Sequence, residues 1–289
     1  MAETTSVKKT FTIGNDLTVN RMGFGAMRIT GEGIWGPPKD KDEAIRVLQR
    51  TVELGINFID TADSYGPNIS EELIAEALYP YPKDLVIATK GGLTRTGPNV
   101  WPINAHPDYL QKALEGSLKR LKQDRIDLYQ LHRVDPEVPY EKTLEFLQRA
   151  QEEGLVKHIG LSEVTVDQIK KGQQYFNVVS VQNKYSVDFR TKWEDELKFC
   201  EEQDMAFIPW NPINAGNVGA ISKLEEIGKK YDASAHQVAL SWLLHHSPNI
   251  LLIPGTSKVK HLEENYKAAS IALAAEDIKE LDQLKQSEK

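Results

Sequence analysis

Four side chains able to hold or move a proton stand where three short apolar runs turn polar. Asp60 and Tyr65 lie in "NFIDTADSYG", Lys90 in "LVIATKG" and His132 at the end of "IDLYQLH". A free phenol has a pKa of about 10, too high for a ready proton donor at neutral pH. A neighbouring ammonium stabilises the phenolate and lowers that pKa, so Lys90 can tune Tyr65. A lysine drawn inside needs a counter-charge, and Asp60 is the obvious one. His132 can then hydrogen-bond a substrate oxygen and orient it. A phenol that protonates an oxygen gaining negative charge is what carbonyl reduction requires. The hydride must come from a cofactor, because no side chain carries one. Taken singly, each residue has an ordinary reading: Asp60 a turn, Tyr65 packing, Lys90 a solvated charge, His132 a structural histidine. Unrelated roles need not converge on adjacent strand ends, which favours a site. Asp63 reads as a turn and helix-entry residue.

These residues need a scaffold that brings strand ends together. Eight apolar runs read as strands: "RMGFGAM", "NFIDTAD", "LVIATKG", "IDLYQLH", "VKHIGLS", "VVSVQNKYS", "MAFIPWN" and "NILLIPG". They look buried on both faces, as parallel strands are. Amphipathic helices separate them. "DKDEAIRVLQRTVELG" places Ala44, Val47, Leu48 and Thr51 on one stripe and stops at Gly55. "PYEKTLEFLQRAQEEG" does the same with Leu144, Leu147 and Ala150 before Gly154. After the second strand, Ser70 reads as an N-cap, followed by Glu71 and Glu72 and the apolar Leu73, Ile74, Ala77 and Leu78. Two helical patterns precede the last strand, so one is an insertion. The pattern predicts an α/β fold, a (β/α)8 TIM barrel. "KTFTIGNDLTVN" predicts an N-terminal β-hairpin covering the barrel bottom, and "AAEDIKELDQLKQ" an extra C-terminal helix. No linker composition divides residues 1–289, so a single domain is expected. An open doubly wound sheet fits less well, because "GFGAMR" lacks the third glycine of a dinucleotide-binding turn.

Composition narrows the partners. A net charge of −7 leaves no basic footprint for nucleic acid or an anionic membrane. Cys200 is the only cysteine, so there is no intrachain disulfide and no cysteine cluster for a metal. The seven histidines are scattered, and no metal site is expected. The opening "MAETTSVKKT" has no apolar core, so no signal peptide is expected and a cytoplasmic location is. No apolar stretch approaches membrane-spanning length. Nothing in the chain indicates an oligomeric state.

The ordered set "NFIDTADSYG", "VIATKGG", "LYQLHR", "GLVKHIGLSE", "VVSVQNKYS", "FIPWNP" and "IPGTSKVKHLEEN" resembles the aldo-keto reductase family over nearly the whole chain. The resemblance implies an NADPH-dependent reductase, with NADH possible, acting on a small-molecule carbonyl. It implies a catalytic tetrad of Asp60, Tyr65, Lys90 and His132, with Tyr65 the general acid. Ser162 and Gln182 would hold the nicotinamide carboxamide and Trp210 would stack on its ring. Gly255, Thr256, Ser257, Lys258, His261, Glu264 and Asn265 would bind the phosphates and adenine. Two departures stand out. Glu163 follows Ser162 where the family usually has Asn, leaving Gln182 or Asn183 to supply an amide. Gly255 and His261 stand where the family often has Lys and Arg, which weakens the grip on a 2′-phosphate unless Lys258 or Lys260 compensates. "GFGAMRITGEGIWGPPKD", "ALYPYPKDLVIATK" and "SPNILLIPGTS" resemble the branch containing bacterial pyridoxal reductases. That branch implies pyridoxal reduced to pyridoxine. Substrate walls are expected from "ITGEGIWGPPKD", "LTRTGPNVWPINAHP" and "NPINAGNVG", with Met27 as floor and Trp35 and Trp101 as aromatic sides. Two other readings remain: a Schiff-base lyase or aldolase using Lys90, and a cofactor-binding regulatory subunit without turnover.

Overall fold

The computed structural model describes residues 7–212 and 218–286. A hairpin of β1 (Thr10–Ile13) and β2 (Leu17–Asn20) opens the chain. Its turn uses Gly14 and Asn15, both at positive φ, where glycine and asparagine are tolerated. Seven parallel strands follow: β3 (Phe24–Gly25), β4 (Phe58–Asp60), β5 (Val86–Gly91), β6 (Ile126–Leu131), β7 (Val156–Ser162), β8 (Val178–Gln182) and β9 (Ala206–Phe207). They pair in chain order.

The eighth position of the barrel is filled by residues 250–252. Ile250 bridges Phe207 on one side and Leu252 bridges Met22 on the other, both in parallel. The Leu251 N–H donates to Phe207 O, Leu252 N–H to Arg21 O, and Gly23 N–H to Leu252 O. The eight expected strands are therefore present as a closed circle, with the eighth held by single bridges instead of a ladder. Arg21 ties this closure to the end of the helix Ala235–His246. Only 2% exposed, it donates to the carbonyls of Ile250, Leu244, Ser247 and Lys8.

Strand alternation sorts the side chains into two cores. Ile59, Ile87, Tyr129, Leu131, Ile159, Leu161 and Val181 join the outer core with the surrounding helices. Phe58, Val86, Ala88, Leu128 and Val179 form an inner core. Phe11, Ile13, Leu17 and Val19 of the hairpin belong to that inner core, so the hairpin plugs the barrel bottom as expected. The inward parity then continues upward to Asp60, Lys90 and Gln130, and a register shift between β7 and β8 after Val178 brings Gln182 to the same side, so polar groups replace the apolar filling.

The helical stripes fall as expected. Lys41–Glu53 buries Ala44, Val47, Leu48 and Thr51 and is capped by Asp40, whose side chain accepts from Glu43 N–H. Tyr140–Glu152 buries Leu144, Leu147 and Ala150. Val218–Gly228 and Ala235–His246 both precede the eighth position, and Ala275–Asp282 is the terminal helix. Ser70 is a correction. The helix Ile69–Leu78 takes Asn68, at φ 69°, as its N-cap residue. Ser70 lies inside, its hydroxyl donating to Ala26 O and sharing a 2.7 Å bond with Thr61 Oγ1. The chain enters the helix through Gly66 at φ 105°, and the helix starts two residues before the position that residue types suggest. Met27 also falls outside a strand, on the 3-10 turn Ala26–Ile29.

Candidate active site

Lys90 is the hub. It is completely buried on β5, and its ammonium donates to Asp60 Oδ1 at 2.6 Å, Thr61 O at 2.8 Å and Tyr65 Oη at 3.3 Å. The register makes this possible, since Asp60 of β4 sits opposite Ala88, two residues below Lys90. Tyr65 comes from the loop after β4, its N–H donating to Ala62 O. His132 follows β6, and its ring meets Tyr65 edge-on at 5.9 Å. The four residues expected from sequence therefore converge in space, each at most 7% exposed.

Because Lys90 donates to the phenol oxygen, the phenol keeps its own proton to give away. Burial pushes the Tyr65 pKa up; the Lys90 charge pulls it back, the Asp60 charge adds to the rise, and the net direction is upward. This corrects the expected direction. The ammonium does lower the pKa, but desolvation outweighs it. Tyr65 is thus a neutral acid at physiological pH, with a cation 3.3 Å away to stabilise the phenolate once the proton leaves. Burial pulls Lys90 down, the charges of Asp60 and Tyr65 and the hydrogen bonds to them together more than restore it, and Lys90 stays protonated. Burial, then the Lys90 and Arg133 charges, hold the His132 pKa well below the usual range, so its imidazole is neutral.

Asp60 has further partners that the sequence reading missed. Gln130 Nε2 donates to Asp60 Oδ2 at 2.9 Å, and Gln182 Nε2 donates to the same oxygen at 3.0 Å. Gln182 also donates to Gln130 Oε1 at 3.3 Å. The signal for Gln130 was its parity: it lies two residues before His132, on the same face of a strand otherwise apolar inside.

Beside the tetrad, Ser162 Oγ donates to Gln182 O at 2.8 Å and accepts from Arg133 Nη1 at 3.1 Å. Arg133 lies over the Trp210 ring at 5.8 Å. Glu163, at φ 54°, accepts from Trp210 Nε1 at 2.8 Å and from Lys184 N–H at 2.6 Å. The carboxylate that replaces Asn thus fixes the indole. Asn183 spends its amide on the Val164 backbone at both ends.

An open cleft of about 410 Å³ runs between the first βα loop and the eighth position, lined by Arg28, Ile34, Gly255, Thr256 and Ser257 among others. Ile34 also packs with Ala62 and Tyr65, so the cleft reaches the tetrad's edge. A Cβ at Gly255 would stand 2.6 Å from Gly25 O and 3.6 Å from Arg28 Cγ. Glycine here keeps two backbones close, and Arg28 brings a cation to the wall where Gly255 has none. Glu32 also lines it. Lys258 precedes the helix Val259–Lys267, which carries His261, Glu264 and Asn265. The Lys258 N–H donates to Thr256 Oγ1 at 3.1 Å. Hydroxyls, backbone N–H groups and a guanidinium around an elongated cleft suit the phosphates of a dinucleotide.

Met27 and Trp101 pack on the Ile34–Ala62–Tyr65 cluster, and Trp101 meets the Tyr65 ring edge-on at 6.3 Å. Trp35 stands further out, 36% exposed, and its backbone bridges Gly66. The last expected wall falls partly on residues 213–217, and the leader reading partly on residues 1–6, both outside the described residues. Among the described residues, no group of His, Cys, Asp or Glu is placed to hold a metal ion, and no helix is long and apolar enough to cross a membrane.

Known proteins share this fold. An uncharacterized oxidoreductase of Schizosaccharomyces pombe is 54% identical, over 94% of this chain and 89% of the relative. The pyridoxine 4-dehydrogenase of Escherichia coli K12 is 41% identical, over 94% of this chain and 97% of the relative. An aldo-keto reductase from Klebsiella pneumoniae, solved in complex with NADPH, superposes with a TM-score of 0.82 at 24% identity, covering 98% of this chain and 97% of that one. The aldo/keto reductase family matches residues 21–286. With that match spanning the barrel and the tetrad seated at its strand ends, the chain belongs to the aldo/keto reductase family.

Proposed function

We propose that this chain reduces an aldehyde to its alcohol with NADPH, and that pyridoxal, giving pyridoxine, is the substrate. One observation carries the chemistry: a buried ammonium that donates to both Asp60 and the Tyr65 hydroxyl oxygen. Tyr65 gives its proton to the carbonyl oxygen as negative charge builds there. Lys90 stabilises the phenolate left behind, and Asp60, held by Gln130 and Gln182, keeps Lys90 charged and in place. Neutral His132 orients the carbonyl oxygen. The reduced nicotinamide of NADPH supplies the hydride when bound.

Thr256, Ser257, Arg28 and Lys258 would hold the phosphates, and Trp210, fixed by Glu163, would stack on the nicotinamide. Ser162 would receive the carboxamide together with the oxygen of Gln182, whose amide nitrogen is committed to Asp60 and Gln130. The donor set fits the group, and the Klebsiella pneumoniae relative with NADPH shares the fold. Pyridoxal is favoured by the pyridoxine 4-dehydrogenase relative, whose name describes the same pair of compounds in the oxidative direction. The aromatic surface of Trp101 and Tyr65, packed on one apolar cluster, suits a planar ring.

A Schiff-base role for Lys90 is disfavoured, because its ammonium is protonated and already donates to three oxygens. A binding-only role has no observation in its favour, since the tetrad is complete. The test is product analysis after incubating the purified chain with pyridoxal and NADPH. Pyridoxine formed in step with NADPH consumption is expected. Turnover of ketosteroids or sugars with none on pyridoxal would contradict the substrate.

A further inference from the structure

The mouth of the barrel is held by one side chain. Arg95, on the loop after β5, uses all five of its N–H donors on backbone carbonyls. Nη1 donates to Ile34 O at 2.6 Å and Ser64 O at 2.9 Å, Nη2 to Gly33 O at 2.9 Å and Gly97 O at 3.2 Å, and Nε to Val100 O at 3.0 Å. Those acceptors belong to the loops after β3, β4 and β5. Backbone bonds reinforce the junction: Asn99 N–H donates to Gly33 O at 2.9 Å and Gly36 N–H to Gly66 O at 2.5 Å. The guanidinium lies 3.6 Å from the Trp101 ring centre and 5.6 Å from that of Trp35. Trp101 in turn meets Tyr65 edge-on.

A guanidinium with every donor committed has none left for a substrate anion. Its work is geometric. Five donors in a planar fork can tie three loops at once, whereas a lysine offers three donors from a single point. The stacked guanidinium also fixes the plane of Trp101.

We propose that Arg95 is a positioning residue that sets substrate selectivity, by holding Trp101 against Tyr65 so that the mouth favours planar aromatic aldehydes over small aliphatic ones. This rests on the reductase reading above. It assigns to one half-buried arginine the shape of the aromatic wall. The polar chemistry of Lys90, Asp60 and His132 lies deeper and is not in contact with it.

The experiment compares wild type, Arg95→Lys and Trp101→Leu with NADPH and two probes, benzaldehyde and propanal. For Arg95→Lys, the KM for benzaldehyde should rise about tenfold, while kcat and the KM for propanal change less than about threefold. Trp101→Leu leaves the clamp and removes the wall, so it should show the same selective rise. NADPH affinity, read by the fluorescence of the bound reduced nicotinamide, should be unchanged in both. Without cofactor, hydrogen exchange in Arg95→Lys should quicken at residues 31–36 and 97–103 and not at the barrel strands. Equal losses on both aldehydes, no loss on either, or a parallel fall in NADPH affinity would overturn the assignment of Arg95 alone. No turnover of pyridoxal or of either probe by the wild type would overturn the reductase reading and this inference with it; turnover of pyridoxal with none of benzaldehyde would overturn this inference alone.

Discussion

At the scale of single residues, the site is a chain of charge compensation. Lys90 has no solvent, so its charge depends on Asp60. Removing one partner of a buried pair leaves an uncompensated ion, at a cost of about 3–5 kcal/mol. Asp60→Ala should therefore lower stability by that order in denaturant unfolding and lower the pKa of Lys90. A loss below about 1 kcal/mol would mean that Thr61 O and Tyr65 suffice. Asp63 makes a separate prediction. Its carboxyl accepts from Tyr109 Oη at 3.0 Å, and its Oδ1 has no partner among the described residues. Burial, with the Glu71 charge adding, pushes its pKa up to about 7 from 3.8. The native state then holds a proton that the unfolded chain has released. The stability from this group is complete below pH 3.8, falls as pH rises to about 7, and is flat beyond. Asp63→Asn should add about 2–4 kcal/mol at pH 8 and little at pH 4, measured by urea unfolding at both. An equal effect at the two pH values would contradict a raised pKa. The tetrad was legible because each member ends a separate apolar run. Gln130 was not singled out, because one polar residue inside such a run carries no label of its role until parity places it beside His132. The direction of the Tyr65 shift was illegible too, since burial is a property of the packed structure.

At the scale of elements, closure of the barrel depends on a stretch too short to form a ladder. Residues 250–252 are bridged on each side by one residue pair, and Arg21 donates to Ile250, Leu244 and Ser247 carbonyls behind them. Arg21→Met fills the space but removes donors from three buried carbonyls. Each unsatisfied group costs about 1–3 kcal/mol, so a loss of about 3 kcal/mol or more is expected in thermal or urea unfolding. A change under about 0.5 kcal/mol would show that closure does not rest on Arg21. The eight runs and the helical stripes were legible because burial on both faces and a 3.6-residue period leave direct marks. The lengths of β3 and β9 were not. The run of β3 continues into a 3-10 turn and that of β9 into residues 208–211, where pairing recurs only as a single bridge at Trp210, and residue type alone does not say where pairing stops. Ser70 misled for a related reason: Ser before two glutamates is the usual start of a helix, and the positive φ at Gly66 and Asn68 that moves the start is a backbone choice.

At the scale of the whole molecule, the fold concentrates its polar chemistry at one end. The hairpin and the apolar inner core close the bottom, and the inward parity of the strands delivers polar groups only at the top. We propose that the chain is a single domain, which predicts one cooperative thermal transition by both far-ultraviolet and tryptophan signals; two separated transitions would contradict it. The open cleft beside that end is lined as far as Ser257, just before the helix Val259–Lys267. If Lys258 meets the 2′-phosphate, Lys258→Ala should weaken NADPH about tenfold and NADH little, in binding titrations. Equal losses would place it elsewhere.

The most direct measurement is the decay of reduced-nicotinamide absorbance with pyridoxal, for wild type and Tyr65→Phe, after showing that both bind NADPH. Tyr65 as proton donor predicts steady NADPH oxidation by the wild type and a rate at least about a hundredfold lower in Tyr65→Phe, with cofactor affinity kept. Undiminished oxidation by Tyr65→Phe would contradict it.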